Sequence, residues 1–161
     1  MTDAPEILVV GDGPVAAALV PMVAALGWRP VTTTDLAAVH ADLPTADAVV
    51  VLSHHEGLDA PAIAAALTHG TAYVGAMGSR RTQARRREWL EAQGLAADLL
   101  ARLRAPVGLD IGADEPGEIA VSILAEVIAV RRGAAAVGPI SERGGAIHPG
   151  LEPGTATGPG G

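Results

Sequence analysis

Short runs of aliphatic or β-branched residues recur along the first half of the chain, and each ends in glycine or polar residues. Strands that are buried on both faces of a parallel sheet read as continuous apolar runs rather than as an alternation of apolar and polar positions. The pattern therefore predicts four strands, within residues 6–14, 29–35, 48–52 and 72–74.

Between and after these runs, apolar positions follow helical spacing and are flanked by helix start and stop signals. Pro14 suits a first helical turn and Gly27 a stop, while Pro21 is expected to kink the helix between them. Asp59 and Ser79 are candidate N-caps. Helices are predicted at 14–26, 59–67, 80–93, 97–104 and 116–132, with a short strand and a long turn between the last two.

The alternation of strands and helices predicts an α/β fold, a Rossmann-like open and mostly parallel sheet with helices on both faces. Ligands of such sheets bind at the carboxyl ends of the strands. We expect residues 1–136 to form one nucleotide-binding domain of this kind. The Gly- and Pro-rich segment 137–161 is expected to be a flexible tail.

Composition limits the chemistry. The 161 residues are 49% hydrophobic but include only two Trp, one Tyr and no Phe, so Val, Ile, Leu and Ala must build the core. The absence of Cys excludes disulfides, thiolate metal sites and cysteine nucleophiles. All 11 basic residues are Arg, which also excludes a Walker-type phosphate loop and a Schiff-base lysine.

Charge and hydropathy indicate where the protein works. The formal net charge of -7 argues against general nucleic-acid binding, which depends on a basic face that neutralises phosphates. The N-terminal residues lack the basic region of a secretory signal, and no apolar stretch is long enough to span a bilayer. We therefore expect a soluble cytoplasmic protein that contacts neither nucleic acid nor membrane.

The first candidate site is the glycine turn "GDGPVA". Gly11, Gly13 and Ala16 match the pattern G-x-G-x-x-G/A of a strand that enters a helix beneath a pyrophosphate. Asp35, about 20 residues further on, suits a ribose 2′-hydroxyl and would repel a 2′-phosphate, which favours NAD over NADP. The alternative is a tight turn with no ligand.

The second candidate is the segment "SHHE" after the third strand, where Ser53 and His54 would lie near the ligand crevice. One imidazole could act as a general acid or base. Neighbouring His54 and His55 point apart in an extended segment, so no metal site is expected. A plain polar loop is the alternative.

The third candidate is the segment "YVGAMGSRR". Gly75 and Gly78 would let a ligand approach the backbone, and Ser79 would cap the next helix. Arg80 and Arg81 open that helix, where the dipole disfavours cations unless an anion is bound. We therefore predict that Arg80 or Arg81 holds a phosphate or carboxylate through its guanidinium.

The three arginines at 85–87 lie further along the same helix. We interpret them as a solvated face that pairs with Glu88 and Glu91 at helical spacing. Asp110, in the glycine-rich turn before the last helix, either meets a ligand or orders that turn by bonding nearby amides.

Three segments resemble a known family: "YVGAMGSRRTQARR", "APVGLDIGADEPGEIAVSILAEVIAVRRG" and "GAIHP". They are similar to the C-terminal Rossmann domain of the XdhC/CoxI family, and the resemblance runs from Ile7 to Pro149. Members of that family are accessory factors of molybdenum-cofactor enzymes of the xanthine and carbon monoxide dehydrogenase type.

The resemblance implies a role in maturation, in which molybdenum cofactor is bound and its sulfurated form is delivered to the apo-enzyme, while the Rossmann half is associated with nucleotide binding. It therefore implies an accessory protein that binds a nucleotide or molybdenum cofactor rather than a catalyst, and the glycine turn with Asp35 makes that nucleotide NAD or NADP, with NAD favoured. Its partner would be a molybdenum hydroxylase client or a separately encoded domain. The implied binding residues are Gly11, Gly13, Asp35, Gly75, Gly78, Ser79, Arg80, Arg81, Asp110 and Gly112.

Two other functions stay open at this point. One is a small NAD-dependent oxidoreductase, although the sequence offers no convincing set of residues for hydride transfer. The other is a sensor or interaction module that keeps the fold without chemistry. The sequence leaves the oligomeric state open, and a homo-oligomer is compatible with it.

Overall fold

A computed structural model describes residues 3–134 and 136–148 of the chain. Five strands form its sheet, namely β1 (Glu6–Val10), β2 (Arg29–Thr33), β3 (Ala48–Val51), β4 (Tyr73–Ala76) and β5 (Leu103–Arg104). The helices are α1 (Pro14–Ala25), α2 (Leu36–Asp42), α3 (Glu56–His69), α4 (Arg80–Ala92), α5 (Ala97–Leu100) and α6 (Pro116–Arg131), and Ile140–Glu142 form a 3₁₀ turn.

All strand pairs are parallel, in the order β2-β1-β3-β4-β5. The predicted α/β fold is therefore confirmed. The chain reverses its direction of winding between β1 and β3, and in open sheets of this kind that switch point is where ligands bind.

Alternation along the buried strands sends side chains to both faces of the sheet. In β1, Ile7 and Val9 pack beneath α1 and α6 on one face. Leu8 and Val10 pack on the other face, beneath α2, α3, α4 and α5. Helices therefore cover both faces of the sheet, and the carboxyl edge of the strands stays open.

One prediction about the helices is wrong, and one helix was missed. Helix α3 begins at Glu56 with His55 as its N-cap, so Asp59 is not the cap. Asp59 lies in the first turn and is 2% exposed, because its side chain faces the interior. Helix α2 was not predicted, and its N-cap is Asp35, whose carboxylate accepts a hydrogen bond from the Ala38 amide at 3.0 Å.

The segment after α4 also departs from prediction. The helix predicted over 97–104 ends at Leu100. The short strand predicted after residue 104 forms earlier, at Leu103–Arg104. Pro106, in a cis peptide bond with Ala105, follows the strand closely and has no amide hydrogen to donate to a sheet ladder. Residues 105–115 then cross the carboxyl edge without helix or strand.

Of the segment predicted to be a flexible tail, residues 137–148 are exposed and residues 149–161 lie outside the described residues. No helix in the described ranges is both long and apolar enough to cross a membrane.

Candidate functional site

A cleft of about 440 Å³ opens at the carboxyl edge between the β4–α4 loop and the segment 105–113. Helix α6 contributes Ile119 and Ser122 to its wall. Five residues that the sequence singled out line this cleft, although they come from three separate segments: His54, Gly78, Ser79, Asp110 and Gly112. We call it the edge cleft.

The start of α4 forms one wall of the edge cleft. Gly78 has φ +140°, which residues with a side chain rarely adopt, and this conformation turns the chain from β4 into the helix. Ser79 is the N-cap, as predicted, and its hydroxyl accepts a hydrogen bond from the Thr82 amide at 3.1 Å. The positive end of the α4 dipole therefore lies at the cleft.

Two side chains of α4 hold the β4–α4 loop in place. The Arg86 guanidinium donates to the Met77 carbonyl oxygen at 2.6 Å. The Gln83 amide donates to the carbonyl oxygens of Ala76 and Gly78 at 3.2 and 3.3 Å. The shape of this wall thus depends on residues that do not line the cleft.

Arg86 also forms a buried ion pair, which corrects the interpretation of Arg86 as solvated. Its NH2 group lies 2.8 Å from Asp59 Oδ2, and the two side chains are 8% and 3% exposed. Ser53 donates its hydroxyl hydrogen to Asp59 Oδ1. Burial raises the pKa of Asp59 above its usual range, while the charge and hydrogen bond of Arg86 act to lower it.

The reason for the error is the orientation of α4. Arg86 and Leu90, one helical turn apart, are the two buried residues of this helix and face the sheet. Ser53 is consequently a buried partner of Asp59 and does not line the edge cleft.

The other arginines of the cluster are exposed. Arg85 lies 3.4 Å from Glu56, and Arg87 pairs with Glu91 at 3.0 Å, which confirms the predicted pairing at helical spacing for Arg87. Arg80 and Arg81 lie exposed in the first turn of α4, and neither lines the edge cleft. Their contact with an anion stays a prediction.

The opposite wall is anchored on α6 by Glu126. This buried carboxylate accepts a hydrogen bond from the Tyr73 hydroxyl at 2.7 Å and from the Gly108 amide at 3.3 Å. The Leu109 amide donates to the Ser122 carbonyl oxygen at 3.1 Å. Burial above all, and then Glu126, raises the pKa of Tyr73 far above its usual range.

Gly75 lies within β4, and not in a glycine loop as predicted. A Cβ atom there would come 2.5 Å from Val107 and 2.8 Å from the Tyr73 hydroxyl. The absence of a side chain at Gly75 thus leaves room for Val107 and for the Tyr73 hydroxyl, which hold the segment 105–113.

Asp110 is exposed at the cleft. Two amides of its turn, those of Asp114 and Glu115, are bound by the Glu118 carboxylate at 3.2 and 2.7 Å. These hydrogen bonds lower the pKa of Glu118. A side chain other than Asp110 therefore orders this part of the turn.

The first glycine turn has a different environment. Gly11 has φ +135°, and a Cβ atom there would come 2.9 Å from the Ser53 backbone nitrogen. Gly13, the N-cap of α1, has nothing within 4 Å of its Cβ position. Gly11, Gly13 and Asp35 do not line the edge cleft.

Across residues 3–134 and 136–148, no three His, Asp or Glu side chains are grouped so as to hold a metal ion.

We did not predict from the sequence that Asp59, Tyr73, Arg86 and Glu126 hold the two walls. A signal existed for one of them. Ser122 and Glu126 are polar residues four positions apart within the otherwise apolar stretch "IAVSILAEVIAV" of α6. A carboxylate on a buried helical stripe requires hydrogen-bond partners.

Comparison with known proteins gives consistent matches. The molybdenum cofactor insertion chaperone PaoD of Escherichia coli is 36% identical over 95 residues, covering 59% of this chain and 30% of that protein. A probable xanthine dehydrogenase subunit of Bacillus subtilis is 32% identical over 155 residues, covering 83% and 45%. YqeB of Escherichia coli, an uncharacterized protein, is 31% identical over 153 residues, covering 81% and 28%.

The fold is shared with a crystal structure described as a xanthine dehydrogenase from Bacillus halodurans. The TM-score is 0.63 at 25% sequence identity, over 86% of this chain and 46% of that one. The chain thus spans less than half the length of each of these relatives. Residues 7–127 match the family model of the XdhC Rossmann domain. The resemblance seen in the sequence is confirmed, and the chain belongs to the XdhC family.

Proposed function

We propose that this chain acts as an accessory module in the maturation of molybdenum-cofactor enzymes of the xanthine dehydrogenase type. In this proposal the edge cleft binds the organic part of a nucleotide or pterin-type cofactor. The family, and the relative named as a molybdenum cofactor insertion chaperone, support the role. A molybdenum hydroxylase client, or a separately encoded partner domain, would exchange the cofactor with this site.

The observation that carries the proposal is the combination of groups in the edge cleft. The N-terminus of α4, capped by Ser79, favours an anionic group. His54 can add a positive charge or donate a hydrogen bond, while the Asp110 carboxylate can only accept from N–H or O–H groups when ionised. A ligand that carries both a phosphate and a heterocycle with N–H donors suits this cleft.

The residues present fit the organic part of such a cofactor rather than its metal. The chain has no Cys, and the described residues offer no cluster of metal ligands. A bound molybdenum cofactor supplies the redox chemistry of the client enzyme. Ser79, His54 and Asp110 would hold the phosphate and the heterocycle and keep the cofactor oriented for transfer.

A pair of variants at Ser79 tests the anionic site. Asp and Asn are both good N-caps, so both replacements should preserve α4. Ser79→Asp places a negative charge beside the bound anion and should weaken binding of a phosphorylated ligand by about tenfold or more, whereas Ser79→Asn should retain affinity within about threefold. Calorimetric titrations with NAD, GMP and a pterin phosphate measure this difference. Equal affinities in the two variants for every ligand that binds would show that the anion lies elsewhere.

A second candidate is a dinucleotide bound across the β1–α1 turn, with NAD favoured over NADP. The open space at Gly13 supports it, because a pyrophosphate could approach the start of α1 there. Asp35, after the neighbouring strand, would face the ribose. Gly13→Val should then lower NAD affinity by filling that space. Unchanged affinity in calorimetry, or tighter binding of NADP than of NAD, would exclude this candidate.

A further inference from the structure

A second opening lies between α3 and α4, beside the edge cleft. It has a volume of about 720 Å³ and is lined by one stripe from each helix. From α4 these are Thr82, Arg85, Arg86 and Trp89, which share one side of the helix, and Glu88 beside them. We call this opening the helix groove.

The floor of the helix groove is compact and carries no free charge. Ala60 and Thr82 contribute small side chains, and Asp59 and Arg86 neutralise each other in their buried ion pair. Thr82 and Trp89 are seven residues apart, so the groove extends about 10 Å along α4. This length suits a planar ring system of one or two rings.

Trp89 gives the groove an aromatic wall. This residue is 38% exposed, in a chain that has only two Trp and one Tyr. Trp28, the other Trp, lies beneath the Arg131 guanidinium at 5.2 Å, and Tyr73 is buried. Trp89 is therefore the aromatic side chain that a ligand at this end of the molecule can reach, and stacking on such a face is a common way to bind a heterocycle.

His54 lines both openings, so the helix groove and the edge cleft adjoin at the end of β3. The start of α4 lies on the other side of the same junction. A single ligand can therefore place an anionic tail at Ser79 and a ring against Trp89.

The mouth of the groove carries hydrogen-bond acceptors. Glu56 and Glu88 line it, and Glu56 is only loosely paired with Arg85, at 3.4 Å between exposed side chains. Within the described part of the chain, Glu88 forms no ion pair. Ionised carboxylates accept hydrogen bonds and donate none, so they select a ring edge with adjacent N–H donors.

We infer that the helix groove binds a 2-amino-4-oxopyrimidine ring, the edge shared by guanine and the pterins, with the ring on Trp89 and its N–H and NH₂ groups toward Glu88. This inference rests on the proposed function, since the ring belongs to the ligand whose anionic part lies in the edge cleft. Adenine presents a ring-nitrogen acceptor at the corresponding edge and would be rejected by the carboxylate.

The test uses two matched ligand pairs without phosphate. Guanosine and inosine differ only in the 2-amino group, and pterin and lumazine differ at the same position. In a Trp28→Phe background Trp89 is the single tryptophan, so quenching of its fluorescence reports the groove directly. We expect guanosine or pterin to bind about tenfold more tightly than its partner, because one charge-assisted hydrogen bond is lost. The pair that binds identifies the source of the ring.

Two variants assign the contact. Glu88→Gln should remove the discrimination within each pair, while Glu91→Gln on the same helix, outside the groove, should leave it intact. Trp89→Leu, followed by calorimetry, should weaken the better ligand by about tenfold through loss of stacking. Equal binding of guanosine and inosine and of pterin and lumazine would overturn the inference, as would full affinity in Trp89→Leu.

A third outcome also overturns it: no ring quenches Trp89, but Trp89→Leu alters the elution volume of the protein in size-exclusion chromatography. The groove would then be a protein contact. Failure of this inference can be distinguished from failure of the proposed function, because Ser79→Asp should not affect ligands without phosphate. If no ring binds but Ser79→Asp still weakens phosphorylated ligands, only the ring site is wrong. If the rings bind but Ser79→Asp leaves phosphorylated ligands unaffected, only the anionic site is wrong.

Discussion

The β1–α1 turn and the β4–α4 turn look alike in the sequence, and both lead from a buried strand through glycine into a helix, yet of the two only the second lines the edge cleft. At the first turn, Gly11 packs against the backbone at the end of β3. At the second, a Cβ atom at Gly78 would instead meet the ends of the Gln83, Thr82 and Arg86 side chains. Two similar glycine turns thus differ in their support, because backbone packs against the first and side chains of α4 hold the second as a wall of the edge cleft.

Of the changes that test this comparison, loss of the buried ion pair between Arg86 and Asp59 should lower the stability of the protein most. Arg86→Ala removes the guanidinium that holds the Met77 carbonyl oxygen and leaves Asp59 buried without a counter-charge. We expect it to lower the free energy of unfolding by about 3–5 kcal/mol. Arg87→Ala, which breaks an exposed pair, should change it by less than about 0.5 kcal/mol. Urea unfolding measures both, and a loss below about 1 kcal/mol for Arg86→Ala would mean that the pair does not support the β4–α4 turn.

A substitution at Gly11 tests the packing of the first turn. Gly11→Ala combines a disfavoured φ of +135° with a Cβ atom 2.9 Å from the Ser53 nitrogen, so we expect a loss of about 2–4 kcal/mol. Gly13→Ser is the matched control, because Gly13 is the N-cap of α1, has φ -77° and has free space at its Cβ position. Serine is a better cap than glycine, so this change should be neutral or stabilising by a few tenths of a kcal/mol. Similar losses in the two variants would contradict the packing argument.

The hydrogen bond between Tyr73 and Glu126, which anchors the wall opposite the second turn, should make the stability of the protein sensitive to alkaline pH. The pKa of Tyr73 is raised above its usual 10.0 in the folded protein, so its stabilising effect is full below pH 10 and declines as the pH rises above that value. Absorbance at 295 nm reports its ionisation, since the chain has one Tyr. We expect ionisation to coincide with unfolding rather than to precede it.

Tyr73→Phe should remove this steep alkaline dependence of stability. At neutral pH it should cost about 1–3 kcal/mol, because Glu126 loses a hydrogen-bond donor in a buried site. Ionisation of Tyr73 near pH 10 without loss of structure would show that the hydroxyl is accessible and that Glu126 alone anchors the segment 105–113.

The smallest expected effect concerns the acid next to the first turn. Asp35 caps α2, so Asp35→Asn should change stability by only a few tenths of a kcal/mol and Asp35→Ala by about 1 kcal/mol. Affinity for a ligand of the edge cleft should be unchanged in both. A selective loss of NAD binding in Asp35→Asn would instead give this carboxylate a role at a ribose and make the two turns parts of one site.

Sequence patterns were sufficient where the cause of a structure is local. The glycine turn after β1, the Ser79 cap of α4 and the start of α6 at Pro116 depend on residues within a few positions of one another. Sequence patterns failed for short elements whose formation depends on packing against distant parts of the chain. Helix α2 has only seven residues, and β5 has two, so neither carries a periodic pattern long enough to predict it.

The sequence by itself therefore determined the α/β fold and the family, because buried aliphatic strands, helix stops and three distinctive segments are properties of contiguous residues. The tertiary structure alone decided which of five clustered arginines is buried, since that depends on the side of α4 that faces the sheet and on Asp59, 27 positions away along the chain. It also decided that Glu126 anchors Gly108 and that His54, Ser79 and Asp110 share one cleft. Hydrogen bonds and packing between distant segments fix these relations, and no local pattern encodes them.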